Sequence, residues 1–552
     1  VRGEKMRLYR EPDKIMYGVH KMGNSYNLSN IPEALKKNQT NYVEFYGRDS
    51  YMKKRYCDVY GDLMKTIAYF NEIGLAWGSR IGIIGSNSYE YMMIDLAAAV
   101  GGFISVPFTE KDFNNSIEQL GGVFCLSALF VDEAYYDSNP GDRTYKIKDL
   151  LPMIEKADYS QLQLPVLDNE ACFAVIFTSG TTGIPKGIEI RVKCVEEWIS
   201  SIVEGFDIRQ DDKILNFLSL SISNARLFVY SSILISYNLT LTNPDQLARV
   251  LILSKPTILQ GVPYLFETFY WGILNDIKQS LKSRFLFGTY LFMRRLLPSS
   301  LSIRLGEAFS GRIKSIFGGN IRLLVTGSAP ISESVLEFYE NMNLRIYEAY
   351  GINEIGLVSI NNLKAYRLGS VGKPFPTKSV LISEDDEILI RSEYAWGKGY
   401  LNDQQGLGRQ VFREDGYIAT GDIGHFDEDG FLYVDGRKKE VLVLSNGQKI
   451  HPGIIEEELK KSGIVKQAVA IGNQRSHVVC VIVPIDKEFS KSKLNEAIRA
   501  ANKNLADSFM IKDCLIASGP FTLENGLMNS TLKINRNAVY TYYEKEIDLL
   551  YN

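Results

Sequence analysis

Histidine is scarce in this chain: four among 552 residues, at His20, His425, His451 and His477, too dispersed to read as a metal cluster. Cysteine is nearly as sparse. The six, Cys57, Cys125, Cys172, Cys194, Cys480 and Cys514, show no Cys-x-x-Cys spacing. That argues against a zinc site or a disulfide framework and predicts reduced, mostly packed thiols in a cytoplasm. An excess of positive charge is also missing. Lys and Arg number 62 against 65 Asp and Glu, for a net charge of −3, so no strongly basic domain is on offer to a nucleic acid. Long hydrophobic runs are absent too: the longest, residues 92–108, is broken by Asp95 and two glycines and reads as a core helix and strand rather than a membrane span. The first residues lack the basic, apolar and small-residue succession of a secretory signal. The expected location is the cytoplasm.

What is present is ordinary globular material, 45% hydrophobic and 23% charged. A chain of 552 residues exceeds one core and predicts at least two domains. Residues 56–73 and 89–100 carry apolar positions at helical spacing, while 80–85, 102–107 and 128–131 read as short strands. Such alternation predicts an α/β fold with a parallel sheet covered by helices.

The chain is organised around Phe177-Thr178-Ser179-Gly180-Thr181-Thr182-Gly183-Ile184-Pro185-Lys186-Gly187, which follows the apolar run Ala174-Val175-Ile176. Glycines let backbone N–H groups approach an anion, the hydroxyls add donors, and Lys186 adds charge. This reads as a phosphate cradle. It is not a Walker A loop, because Pro185 stands where that motif has glycine and Gly187 where it has Ser or Thr. A flexible linker is the bland alternative, against which stand the preceding strand and the single lysine. Further on, Ile321-Arg322-Leu323-Leu324-Val325 runs into Thr326-Gly327-Ser328-Ala329-Pro330. Small residues at a strand's carboxyl end leave room for a flat ligand. A second strand and turn follow in Tyr347-Glu348-Ala349-Tyr350-Gly351-Ile352-Asn353-Glu354.

With Tyr417-Ile418-Ala419-Thr420-Gly421-Asp422, Asp435-Gly436-Arg437-Lys438-Lys439-Glu440 and Thr531-Leu532-Lys533-Ile534-Asn535-Arg536, these stretches resemble, in order, the motifs of the adenylate-forming superfamily. Acyl-CoA synthetases, luciferases and peptide-synthetase adenylation domains make up that family. The stretch Ser445-Asn446-Gly447, the later Pro452-Gly453-Ile454-Ile455-Glu456 and the terminal motif resemble its long-chain fatty acyl-CoA synthetase branch.

The resemblance implies a large N-terminal domain, residues 1–437, of helix-covered, mostly parallel sheets with a small β subdomain. A mobile α+β lid, residues 438–552, would follow. It implies activation of a medium- or long-chain fatty acid by ATP to acyl-AMP, with release of pyrophosphate. Transfer to the thiol of coenzyme A, or of a phosphopantetheinyl carrier protein, would complete the reaction. Thr178, Ser179, Gly180, Thr181, Thr182, Gly183 and Lys186 would hold the phosphates. Gly327, Ser328, Ala329, Tyr350 and Gly351 would border the adenine, with Asp422 and Arg437 on the ribose. Glu354 would hold Mg²⁺, Asn353 an α-phosphate oxygen, and Lys533 would be the catalytic lysine. Lys439 would be the hinge and Gly447 would line the thiol channel. Two departures stand out. Ile222 takes the place of a pocket histidine, and Asn353 that of a threonine. A homologue that binds nucleotide or lipid without catalysis stays open.

One run fits none of these roles. Residues 278–322 carry Lys278, Lys282, Arg284, Arg294, Arg295, Arg304, Arg312, Lys314 and Arg322 against the single acid Glu307. Aromatic residues are interleaved among them. Such a stretch is either a pair of helices with one packed and one solvated basic face, or a peripheral contact with an anionic membrane.

Overall fold

The computed structural model describes residues 26–109, 117–138, 141–178, 186–296, 310–311, 313–403, 406–485, 489–529 and 533–551. Val59, Leu63, Ile67 and Phe70 recur at three- and four-residue intervals, and all are buried. They give the helix Tyr56–Glu72 a single apolar face. The next helix, Tyr89–Val100, is buried on every side except at Glu90, as an all-round apolar helix must be. The Ser88 hydroxyl caps it by accepting the Tyr91 N–H at 3.0 Å.

Two large sheets enclose this helix layer. One has six strands in the order Thr144–Lys146, Leu126–Val131, Arg80–Ile84, Ile104–Pro107, Cys172–Thr178, Lys186–Arg191. All neighbours in it are parallel except the last pair. The other has nine strands. At its centre Ile346–Ile352, Leu323–Gly327, Ile258–Gly261, Lys213–Asn216, Asn238–Thr242 and Tyr42–Tyr46 run parallel. Side-chain alternation divides the faces of the nine-stranded sheet. Ile214, Ile258 and Leu323 look toward the six-stranded sheet and share one core with Ile81, Ile83, Ala174 and Ile176. Leu215, Leu259 and Leu324 look outward, into a second core closed by helices Pro263–Gln279 and Glu333–Asn341.

The acid that interrupts the longest apolar run has a partner. Asp95 meets Arg226 of helix Ser223–Ile235 at 3.0 Å and accepts the Tyr230 hydroxyl at 2.5 Å, with both charged side chains at most 3% exposed. A buried charge is tolerable only when it is paired and hydrogen-bonded in this way.

A four-stranded antiparallel sheet, Ser379–Ile382, Glu387–Arg391, Ile418–Phe426 and Leu432–Arg437, forms the small β subdomain. Beyond it a three-stranded sheet, Val465–Ile471, Val478–Pro484 and Ile511–Ile516, packs against helices Pro452–Lys461 and Lys491–Asn502 around its own core. The α/β class, the mostly parallel sheets and the α+β C-terminal unit all appear as the sequence predicts. Among the described residues no helix is long and apolar enough to cross a membrane.

The described part of the run 278–322 begins at the end of helix Pro263–Gln279 and continues as a second helix, Leu281–Leu296. Lys282 and Arg284 of the second are exposed, as a solvated basic face requires, but they do not make up its whole outer side. Its outer side carries Leu281, Phe285, Leu286, Phe292, Met293 and Leu296, all exposed. Arg294 turns inward instead, donating to the carbonyls of Asn341 at 2.6 Å and Glu340 at 3.0 Å at the end of helix Glu333–Asn341. A cation at a helix C-terminus satisfies orphan carbonyls. Arg322 is likewise engaged, with Asp212. Residues 297–309 and 312 lie outside the described residues.

Candidate active site

The parallel strands of the nine-stranded sheet end side by side at Gly261, Gly327 and Ala349. A Cβ on Gly327 would stand 2.9 Å from the Ala349 carbonyl oxygen, so only glycine lets these strand ends lie this close. Ser328 then turns the chain with a left-handed φ of +73°. In the neighbouring strand a bulge between Tyr350 and Gly351 re-aims the backbone, and a Cβ on Gly351 would collide with the Gly356 carbonyl.

Tyr350 projects from that bulge into a cluster with Ile355, Val358, Ile390 and Leu432 and is 7% exposed. Its hydroxyl donates to Asp422 Oδ2 at 2.8 Å. Asp422 is buried in the middle of strand Ile418–Phe426. The ladder pairs it with Arg437, whose guanidinium Nε lies 3.1 Å from Asp422 Oδ1. Burial pushes the Asp422 carboxyl above the usual carboxylate range, while Arg437, Tyr350 and Lys533 pull against it.

Lys533 comes from the other end of the chain. It is half-buried, and its ammonium feels Arg437, Asp422 and Glu440. Burial first, and Arg437 second, hold its pKa at about 8 despite the two acids. Its neighbourhood is fixed by Arg536, which donates to Glu456 Oε2 at 2.6 Å and to Glu440 Oε2 at 3.2 Å. The C-terminal unit is seated by Lys460, 3.6 Å from Glu267, and by a hydrogen bond from Ser332 to Glu457.

On the opposite side, strands Cys172–Thr178 and Lys186–Arg191 pair antiparallel, Thr178 facing Lys186. The glycine- and hydroxyl-rich stretch therefore joins two strands of one hairpin rather than a strand and a helix. Ser179, Gly180, Thr181, Thr182 and Gly183 lie outside the described residues. Lys186 Nζ stands 5.2 Å from the ring centre of Tyr400. Tyr400 in turn donates its hydroxyl to Glu354 Oε1 at 2.5 Å. Asn353 Nδ2 donates to the Phe177 carbonyl at 3.1 Å, tying the Tyr350–Glu354 turn to the strand that opens the cradle. This spends one amide N–H on the protein.

Two groups thus form: Tyr350, Asp422, Arg437 and Lys533, and Lys186, Tyr400, Glu354 and Asn353. Lys439 and Gly447 belong to neither. Both are exposed, and Gly447 turns the ribbon between Leu442–Val443 and Lys449–Ile450 with φ of +82°. Tyr400 and Glu440 were not singled out by the sequence motifs. His451 is half-buried beside Gly436.

Beneath the strand ends, on the inner face of the nine-stranded sheet, lies a narrow apolar cavity. Ile202, Phe206, Phe228, Ile258, Gln260 and Val325 are among its walls. Ile222 is the N-cap of helix Ser223–Ile235 and packs against the inner core; it is not among the cavity's walls.

Residues 33–401 match the family model described as AMP-binding enzyme, and residues 439–552 match the AMP-binding enzyme C-terminal domain. The long-chain-fatty-acid–CoA ligase FadD15 of Mycobacterium bovis is 26% identical over 556 residues, covering 87% of this chain and 89% of its own. Long-chain-fatty-acid–CoA ligase 5 of Mus musculus is 26% identical, covering 85% of this chain and 80% of its own. Among solved structures, the adenylation domain of a carboxylate reductase from Mycobacterium chelonae shares the fold. Its TM-score is 0.76 at 18% identity, over 96% of this chain and 93% of that one.

Proposed function

The chain belongs to the AMP-binding enzyme family, and on that premise we propose that it is an AMP-forming acid–thiol ligase of fatty acids. It would convert a medium- or long-chain carboxylate and ATP to acyl-AMP and pyrophosphate, then pass the acyl group to coenzyme A. One observation carries this reading. Lys533, from the C-terminal unit, is brought to Asp422 and Arg437 of the β subdomain. The relatives, named as long-chain-fatty-acid–CoA ligases, point to the same substrate class.

A carboxylate does not acylate a thiol, because its leaving group would be oxide. Attack of its oxygen on the α-phosphorus of ATP forms a carboxyl–phosphoryl bond and breaks the bond to pyrophosphate. The thiol then attacks the acyl carbon and AMP departs. The first attack brings an anion to a polyanion, so the site must supply positive charge and donors in a water-poor place. Lys186 and Lys533 are the charges, with the backbone and hydroxyls of residues 178–183 as donors. Asp422 accepts from the ribose hydroxyls and Arg437 holds it in register, while the adenine lies between the Gly327–Ala329 turn and Tyr350–Gly351. Mg²⁺ commonly takes one carboxylate and the substrate's phosphates; Glu354, held by Tyr400, offers that carboxylate, and the ion would neutralise phosphate charge. No side chain need move a proton in the first step, which suits a chain so poor in histidine.

The apolar cavity would take the acyl chain. Its walls reach the strands that end at Gly261 and Gly327, so a chain lying there presents its carboxylate at the strand ends. We assign residues 1–437 to the ATP- and acyl-binding domain and 438–552 to the lid. Rotation about Lys439 would withdraw Lys533 and bring Gly447 to the thiol, a conformational gate between half-reactions. The enzyme would work in the cytoplasm, touching a membrane peripherally through residues 278–322.

Pyrophosphate release measured over a panel of carboxylic acids, with and without coenzyme A, tests the assignment. Release with medium or long acids, accompanied by thioester when coenzyme A is present, is expected. Release without thioester would favour a carrier-protein thiol as acceptor. No release with any acid would reduce the chain to a binding protein.

A further inference from the structure

Helix Leu281–Leu296 presents an apolar stripe to the outside. At about 100° per residue, Leu281, Phe285, Phe292 and Leu296 fall on one line of the helix, and they are 81%, 75%, 64% and 67% exposed. Leu286 and Met293 widen the stripe. The opposite side is fastened to the protein. Phe287 and Leu291 pack against the outer core, Tyr290 is buried with its hydroxyl on the Asn341 carbonyl, and Arg294 holds the end of helix Glu333–Asn341. The helix is therefore docked by one face, and the stripe is what that docking leaves outside. A contiguous exposed apolar surface of this kind marks an interaction site.

The charges say what kind. Lys282 and Arg284, both exposed, lie on either side of the line of Leu281, Phe285, Phe292 and Leu296, and the helix contains no acidic residue. Across residues 278–322 Glu307 is the one acid against nine Lys and Arg. A second copy of this chain would bring like charges together on docking, at a cost. An anionic lipid surface offers both an apolar interior for the stripe and phosphates for its flanks.

We propose that the outer face of helix Leu281–Leu296 docks on an anionic phospholipid bilayer. Phe285, Phe292, Leu281 and Leu296 enter the boundary between headgroups and acyl chains, and Lys282 and Arg284 pair with lipid phosphates. The ligase chemistry is not needed for this contact, so binding and catalysis are measured apart.

The test is co-sedimentation of the full chain, without substrates, with phosphatidylcholine vesicles that contain or lack phosphatidylserine. Two variants accompany it, F285S/F292S and K282E/R284E, with thermal melts to show that both fold. The wild type is expected to bind the anionic vesicles, less so in high salt, and each variant to lose at least about tenfold in partitioning. A Phe292→Trp variant should show a blue-shifted emission on the same vesicles. Absence of wild-type binding, or binding that F285S/F292S leaves unchanged, would overturn the proposal. So would a concentration-dependent dimer that the variants abolish without any vesicle binding, since the stripe would then belong to a second copy.

Discussion

A lysine in water keeps its proton to about pH 10.4, whereas Lys533 is held at about 8 by burial and by Arg437. Below that value it is a cation and can offset the charge of a carboxylate approaching ATP; above it, it cannot. In the free enzyme, kcat/KM for ATP in pyrophosphate exchange should therefore fall as pH rises through about 8. Lys533→Arg, which stays charged, should lose that descending limb even where its rate is lower. A wild-type profile flat across this range would contradict the assignment. Asp422 and Lys533, which interact in the fold, could be singled out in the sequence because their neighbours Thr420-Gly421 and Ile534-Asn535-Arg536 form motifs. Tyr400 could not. One of 32 tyrosines, it reveals its role only when the fold sets its hydroxyl on Glu354 and its ring beside Lys186.

At the scale of elements, periodicity sufficed for the helices and strands of the N-terminal sheets, since each buries one face or all of itself. It could not say which side of a helix a charge occupies. The run 278–322 looks basic by count, yet Arg294 and Arg322 face inward to carbonyls and to Asp212. Asp95 likewise interrupts an apolar run for a reason that lies more than a hundred residues further on, at Arg226. Asp95→Ala should cost about 3–5 kcal/mol in denaturant titrations of the large domain, because it strands a buried guanidinium. Replacing both partners by apolar residues should recover much of that loss. If Asp95→Ala were nearly neutral, the pair would not be the buried anchor described. The cavity makes a separate prediction. Phe228→Ala removes a ring from its wall and should move the optimum of kcat/KM toward longer acids, read from a chain-length series. An unchanged optimum would take the acyl chain out of that cavity.

In the whole molecule, the motif residues Phe177 and Asn353, and likewise Tyr350, Asp422 and Lys533, lie far apart in sequence and meet only through folding. Their order along the chain was enough to expect a family, and the two family matches bear that out. The position of the C-terminal unit was not legible, because it depends on contacts such as Lys460 with Glu267 that no motif contains. Here the C-terminal unit sets Lys533 near Asp422 and leaves Gly447 exposed, the arrangement we assign to the first half-reaction. The central claim is that one lysine, delivered by the lid, serves acyl-AMP formation and not thioester formation. The direct test assays Lys533→Ala in both halves, by pyrophosphate exchange and by thioester formation from supplied acyl-AMP. The account predicts a loss of at least about a hundredfold in the first and near wild-type rates in the second. Equal loss in both, or retention of the first, would contradict it.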